Sequence, residues 1–222
     1  MKYTLFSISM LLFFACGGFK EIVDKPIIFD EERIQLTKDY LLTRYGLEQD
    51  NSTIVPKMIV LHWTEIPTLQ QSFNAFYKSE LPSRPDIATA SSLNVSSQFL
   101  VDLDGTIYRL MPETTMARHV IGLNHVAIGV ENVGGTADVP LTKAQIKSNI
   151  WLVNYLSKKY PIEYLIGHFE YTNFEGHELW LEKDDGYRTE KVDPGEDFMK
   201  AVKKGTKKFN LKSAPAKINR AL

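Results

Sequence analysis

Five histidines stand in this chain, at positions 62, 119, 125, 168 and 177. Imidazole is the side chain best suited to metal binding and proton transfer near neutral pH, yet a single histidine more often packs in a core or sits on a surface. Two of the five are set apart by position. His62 follows the apolar run Met58-Ile59-Val60-Leu61, and His168 follows Tyr164-Leu165-Ile166-Gly167. Both runs have the length of a strand covered on both faces, and ligands in α/β folds gather beyond the carboxyl ends of strands. A third segment, Lys191-Val192-Asp193-Pro194-Gly195, reads most simply as a turn. A turn can also lock a carboxylate in one direction. Two neutral imidazoles and one carboxylate, with a fourth position open to water, form a recognised catalytic zinc set.

A fourth element is Ile128-Gly129-Val130-Glu131-Asn132. Strand alternation places Gly129, Glu131 and Val133 on one face, with Val130 and Asn132 on the other. A charge inside an apolar strand is costly unless it is paired or has a task. A salt bridge to a buried Lys or Arg would satisfy Glu131 without any function. The glycine two residues earlier on the same face leaves space beside the carboxylate.

The elements that must position these residues follow from periodicity. Ile34, Leu36, Tyr40, Leu41 and Tyr45 recur at helical spacing and Gly46 supplies a stop. A polar connection leads to the strand ending at His62, and Pro67 opens a helix running to about Ser79. Ser97–Asp102 and Thr106–Leu110 flank Asp104-Gly105, a strong hairpin signal. A strand at Ala127–Val133 ends at Gly134-Gly135. Thr142 then caps an amphipathic helix with Ile146, Ile150, Val153 and Leu156 on one stripe, ended by Pro161. Strands alternating with helices, plus one hairpin, predict a single α/β domain around a central mixed β-sheet flanked by helices.

Composition adds bounds. The chain has 222 residues, 44% of them hydrophobic and 24% charged, enough for one substantial domain. A formal net charge of -1 provides no overall field to recruit nucleic acid, and nothing in the sequence calls for a protein partner. The lysines after residue 200 read as a solvated, frayed helix end rather than a binding tail. At the other end, Lys2 precedes an apolar stretch of about a dozen residues, the size of a signal-peptide core and too short to span a bilayer. That stretch ends at the only cysteine. Phe13-Phe14-Ala15-Cys16 resembles a bacterial lipobox, in which the cysteine is lipidated and becomes the first mature residue. A plain secretory signal with a chance cysteine is the simpler alternative. A single cysteine cannot form an internal disulfide, so export is argued from the signal alone. Gly17 at the second mature position favours transport to an outer membrane, facing the periplasm.

Taken together, these segments resemble the type 2 N-acetylmuramoyl-L-alanine amidase family, which includes phage lysozyme-type amidases and peptidoglycan-recognition proteins. The resemblance covers roughly residues 58–198. It is carried by Ile59-Val60-Leu61-His62-Trp63-Thr64, by Ser97 to Tyr108, by Arg118-His119 with Asn124 before Ile128-Gly129-Val130-Glu131, by Ile166-Gly167-His168, and by Lys191 to Gly195. Each motif is weak alone; their order makes the match. Two departures stand out. Gln98 occupies a position where many members carry histidine, and the segment 169–190, with Tyr171, Phe174, His177, Trp180 and Tyr187, is longer than in compact members. It reads equally well as a groove wall or as a packed surface excursion.

The resemblance implies a zinc ion (Zn2+) held by His62, His168 and Asp193, with Glu131 as general acid and base and Lys191 beside the developing oxyanion. For His119 and Asn124 it leaves substrate contact and buried hydrogen bonding open. It implies peptidoglycan or its muropeptides as partner; the lipobox resemblance adds the membrane, through lipidated Cys16. Some relatives bind muropeptides without cutting them and typically lack a complete ligand set, which is present here. The expected organisation is a signal peptide at 1–15, a tether at 16–29, an N-terminal helix and connection at 30–57, a zinc amidase domain at 58–200 and a basic tail at 201–222.

Overall fold

The computed structural model describes residues 21–82, 87 and 89–217. The signal segment, Cys16 and residues 218–222 lie outside the described residues.

Six strands form one mixed sheet: β1 (Ile22–Asp24), β2 (Met58–Leu61), β3 (Phe99–Val101), β4 (Ile107–Arg109), β5 (Ala127–Asn132) and β6 (Tyr164–Gly167), in the order β1-β4-β3-β5-β2-β6. Only the β3–β4 hairpin is antiparallel, with Asp102 and Gly105 closing its turn. Among the described residues four α-helices flank the sheet: α1 (Glu31–Tyr40), continuing as a wider π turn over Leu41–Tyr45, α2 (Leu69–Tyr77), α3 (Lys143–Lys159) and α4 (Glu196–Thr206). The single mixed α/β architecture anticipated from the sequence is what forms. Among the described residues no helix is long and apolar enough to cross a membrane.

The local reasons are visible at the ends of the elements. Asp30 accepts the Arg33 amide at the start of α1, and Gly46, at φ +70°, closes the π turn in the left-handed region that glycine tolerates. Thr142 and Gln145 form a reciprocal capping box on α3. The Gln145 amide also donates to the carbonyls of Val101 and Val133, fixing that helix over the ends of β3 and β5.

Strands β2, β5 and β6 are largely apolar because both faces are covered. Ile59, Leu61, Ile128, Val130 and Leu165 pack against Leu152, Val153 and Leu156 of α3 and Phe198, Met199 and Val202 of α4. Met58, Val60, Ala127 and Ile166 point the other way, onto Val120, Leu123, Tyr171, Phe174 and Tyr187. The second layer is therefore made largely of loops and of the 3-10 helix His168–Phe174.

Two expected boundaries are redrawn. Residues 22–24, placed in the 16–29 tether, are the edge strand β1, parallel to β4, and Ile27 is buried. The apolar pair Ile22 and Ile27, rather than Asp24 between them, decides the outcome. Residues 201–217 are not a free tail: α4 crosses the expected boundary at 200, Val202 is fully buried, and Lys212 pairs with Tyr164 beside β6. The helical period outweighs the lysines. Finally, segment 169–190 belongs to the domain core through Tyr171, Phe174, Leu179 and Tyr187.

Trp180 in that segment is a packing residue. Its ring lies where a side chain at Gly122 would stand, 2.7 Å from an ideal Cβ. It stacks near Tyr171 and lies 4.6 Å beneath the Arg188 guanidinium. Trp180→Ala is expected to cost about 3 kcal/mol of stability while leaving the substrate KM unchanged. Thermal melts recorded beside kinetics check this; a raised KM without a lower Tm would make Trp180 a substrate contact.

Candidate active site

Register builds the site. Leu61 pairs with Val130 of β5 on one side and with Gly167 of β6 on the other. One residue further on, Glu131, His62 and His168 therefore stand at the same level on three adjacent parallel strands, at their carboxyl ends. Alternation directs all three toward the loop-built layer, the face that Val60 and Gly129 share. The polypeptide from the other end of the domain then brings in Asp193. The Phe169 amide donates to the Asp193 carbonyl at 3.1 Å, and the turn closes through Gly195 N–H to Val192.

Three atoms converge. His62 Nδ1 lies 3.0 Å from His168 Nδ1 and 3.2 Å from Asp193 Oδ2, and His168 Nδ1 lies 3.1 Å from the same oxygen. These edges are close to the roughly 3.3 Å expected between ligands of a tetrahedral ion with bonds of about 2.0–2.2 Å. All three residues are buried, and the trio is a group able to hold a metal ion. Burial, then the neighbouring His62, pushes the His168 ring down to about 4, so it is neutral with a lone pair to offer. Burial alone would raise the Asp193 carboxyl, but His168 and His62 more than offset this and hold it well below the usual range.

Glu131 stands beside this cluster. Its Oε2 is enclosed without a hydrogen-bond partner among the described residues. Burial, reinforced by repulsion from Asp193 and opposed by Lys191, raises its carboxyl well above the ordinary value. Such an environment favours the protonated form of the carboxyl. Lys191, half-buried two residues before Asp193, lines the same groove.

Asn124 and His119, open between substrate contact and buried hydrogen bonding, both make internal hydrogen bonds. Asn124 is fully buried. Its Oδ1 accepts from the amides of His119 and Val120, and its Nδ2 donates to the Tyr45 hydroxyl. No part of its amide is left for a substrate. His119 likewise has both ring nitrogens engaged, Nδ1 at 3.0 Å from His62 Nε2 and Nε2 at 3.3 Å from the Ala127 carbonyl. The room beside Gly129 is thus occupied by the His119 ring, not left open for substrate. Arg118 is buried beneath the groove, donating to carbonyls of Ile87, Ser91 and Leu93 and to the Tyr187 hydroxyl. His125 and His177 stand apart from the cluster among the described contacts.

Other supporting residues escaped the sequence reading. The Asn132 amide donates to the His62 carbonyl and is itself held by Asn149. An asparagine within an apolar strand, on the face opposite Glu131, was the available signal. Gln98 uses its oxygen to accept from Gly129 N–H and its nitrogen to donate to the Thr115 carbonyl, so it supports β5 rather than the cluster. Trp63, lying against Gly135 and Gly195, lines the groove together with Glu65, Ile121, Thr189, Glu190 and the exposed Val192. From the long segment, Tyr187, Thr189 and Glu190 reach this groove while Trp180 does not.

A buried pair of imidazoles with one carboxylate, at the carboxyl ends of parallel strands and beside an enclosed glutamate, forms a group that could hold a metal ion. The chain belongs to the type 2 N-acetylmuramoyl-L-alanine amidase family, whose profile it matches over residues 37–196. Solved structures share its fold. The amidase LysC from Clostridium intestinale URNW is 22% identical, with a TM-score of 0.52 over 86% of this chain and 99% of its own. The endolysin amidase LysCS from the same organism is 21% identical, with a TM-score of 0.53 over 88% and 99%. Peptidoglycan recognition protein-LE, solved with tracheal cytotoxin, is 15% identical, with a TM-score of 0.50 over 82% and 92%. A search of curated proteins gives no significant match.

The Glu131 environment has a thermodynamic consequence. A carboxyl whose folded pKa is raised contributes fully to stability below its unfolded value of about 4.3 and loses that contribution as pH rises through the folded value. Metal-free Glu131→Gln should therefore melt higher than wild type at neutral pH, with the gap closing toward pH 4. Calorimetry of the two proteins across that range checks the sign; a lower Tm for the glutamine variant at pH 7 would mean that Glu131 is paired.

Proposed function

We propose that the chain hydrolyses the amide joining the lactyl group of N-acetylmuramic acid to L-alanine in peptidoglycan or its fragments, using zinc held by His62, His168 and Asp193. The observation that carries this reading is the convergence of those three ligand atoms beside a Glu131 whose Oε2 has no hydrogen-bond partner among the described residues, within a chain of the amidase family. Zinc in such a set acidifies water to a pKa of about 7 and polarises a carbonyl.

The chain's own residues account for the remaining chemistry. The Glu131 carboxylate takes a proton from the attacking water and passes it to the departing alanine nitrogen as the C–N bond breaks. The products are a lactyl carboxylate on the sugar and a free peptide amine. The Lys191 ammonium faces the carbonyl oxygen where negative charge grows, an interaction used only in the transition state. Trp63 and Val192 border the groove with apolar surface, which excludes water from the reacting amide. We also propose that the protein is exported and lipid-anchored through Cys16, on the strength of its lipobox-like sequence.

Three variants separate metal binding from chemistry. Asp193→Ala should lose zinc and activity together. Lys191→Ala should keep zinc and lose on the order of 100- to 1,000-fold, mainly in kcat. Glu131→Gln should keep zinc and lose turnover. Mass spectrometry of muropeptides with elemental analysis reads both properties at once. Full zinc loading of each protein with no cleavage of any muropeptide would identify a peptidoglycan-binding lipoprotein instead. For attachment, Cys16→Ser should move the protein from the membrane to the soluble exported fraction with activity intact, since its acyl chains exceed the two-signal threshold for stable anchoring. Retention on the membrane would overturn lipidation.

A further inference from the structure

His119 has no part in the chemistry above, yet it is among the most constrained side chains near the cluster. Its ring meets that of His62 edge to face, with centroids 5.1 Å apart at 90°. Its Nδ1 lies 3.0 Å from His62 Nε2, the nitrogen on the far side of the His62 ring from His168 and Asp193. The other His119 nitrogen, Nε2, lies 3.3 Å from the Ala127 carbonyl.

Proton positions along this chain follow from its last member. A backbone carbonyl can only accept, so the neutral His119 ring carries its proton on Nε2 and donates it to Ala127. Its Nδ1 is then bare and can only accept. The partner that donates to it is His62, whose proton therefore sits on Nε2. That leaves His62 Nδ1 without a proton, facing His168 Nδ1 and Asp193 Oδ2. The opposite tautomer would place a proton at the point where the three ligand atoms meet.

We propose that His119 is a positioning residue that locks His62 in its Nε2–H tautomer and fixes the plane of its ring, so that Nδ1 is presented to the metal. This rests on the reading of the cluster as a zinc site. The fold provides for it at three points. A Cβ at Gly129 would lie 2.8 to 3.0 Å from Cγ, Cδ2 and Nδ1 of His119, so only glycine there lets the ring reach His62. The Asn124 side chain holds the His119 amide at 2.9 Å. Strand β5 then supplies, at alternate residues on one face, the Ala127 carbonyl that sets the tautomer, the Gly129 space and the Glu131 carboxylate. Partners of this kind typically contribute 10- to 100-fold in metal affinity.

The test is zinc affinity by competition with a fluorescent chelator, which requires no substrate. His119→Phe keeps a ring of similar shape and removes the acceptor; His119→Asn keeps an oxygen near the place of Nδ1. The expected result is a 10- to 100-fold weaker Kd for the phenylalanine variant, with much of the loss restored by asparagine. Wild-type affinity in His119→Phe, or equal loss in both variants, would overturn the proposal. Should either variant fail to fold, long-range proton–nitrogen NMR of the wild-type protein decides the matter. His62 and His119 should both appear as Nε2–H tautomers, and an Nδ1–H form of His119 overturns the assignment. Failure of wild type itself to bind zinc would instead remove the proposed function's metal, a result distinguishable from either.

Discussion

The site depends on the parallel register of three strands. Because Leu61 is level with both Val130 and Gly167, the next residue on each strand falls on one line across the sheet: Glu131, His62 and His168. A one-residue slip of any strand would turn its side chain to the opposite face, into the apolar layer under α3 and α4. The register is protected by burial, since all four residues of β2 and of β6 are buried. Two kinds of residue therefore share one task. The apolar ones keep the alignment, and the polar ones at the strand ends use it.

Around this line the polar support is asymmetric. Asn132, Asn149 and Gln145 hold the backbone of β2 and β5 from the helical side, whereas Gln98, His119 and Asn124 work from the loop side. Most of these groups are buried with partners, as polar groups in a core must be. Among the described residues the enclosed Oε2 of Glu131 departs from that rule, as does Asn149 Oδ1.

Much of this was legible in the sequence. His62, His168 and Asp193 could be singled out because each sits at a recognisable punctuation mark, two strand ends and an Asp-Pro-Gly turn. The hairpin, the capped α3 and the strand carrying Glu131 followed from turn chemistry and periodicity. What stayed hidden was contact between distant segments. Nothing near residue 119 says that its ring will meet His62, 57 positions earlier, nor that Gly129 exists for that ring rather than for a ligand. β1 was missed because three residues, one of them acidic and exposed, carry too little pattern. The end of the chain was misjudged because lysines are conspicuous, while Phe198, Met199 and Val202 between them do the packing.

The two ends of the described chain act as seals. An open sheet exposes unsatisfied amides and carbonyls on its outermost strands, and such edges recruit other chains. Here β1 pairs with β4 on one side, and the Lys212 backbone meets Leu165 N–H on the other, so segments from outside the 58–200 span close both flanks. A version of the protein trimmed to that span would keep every residue of the metal cluster and still lose both seals. Its failure would appear as self-association rather than as damaged chemistry.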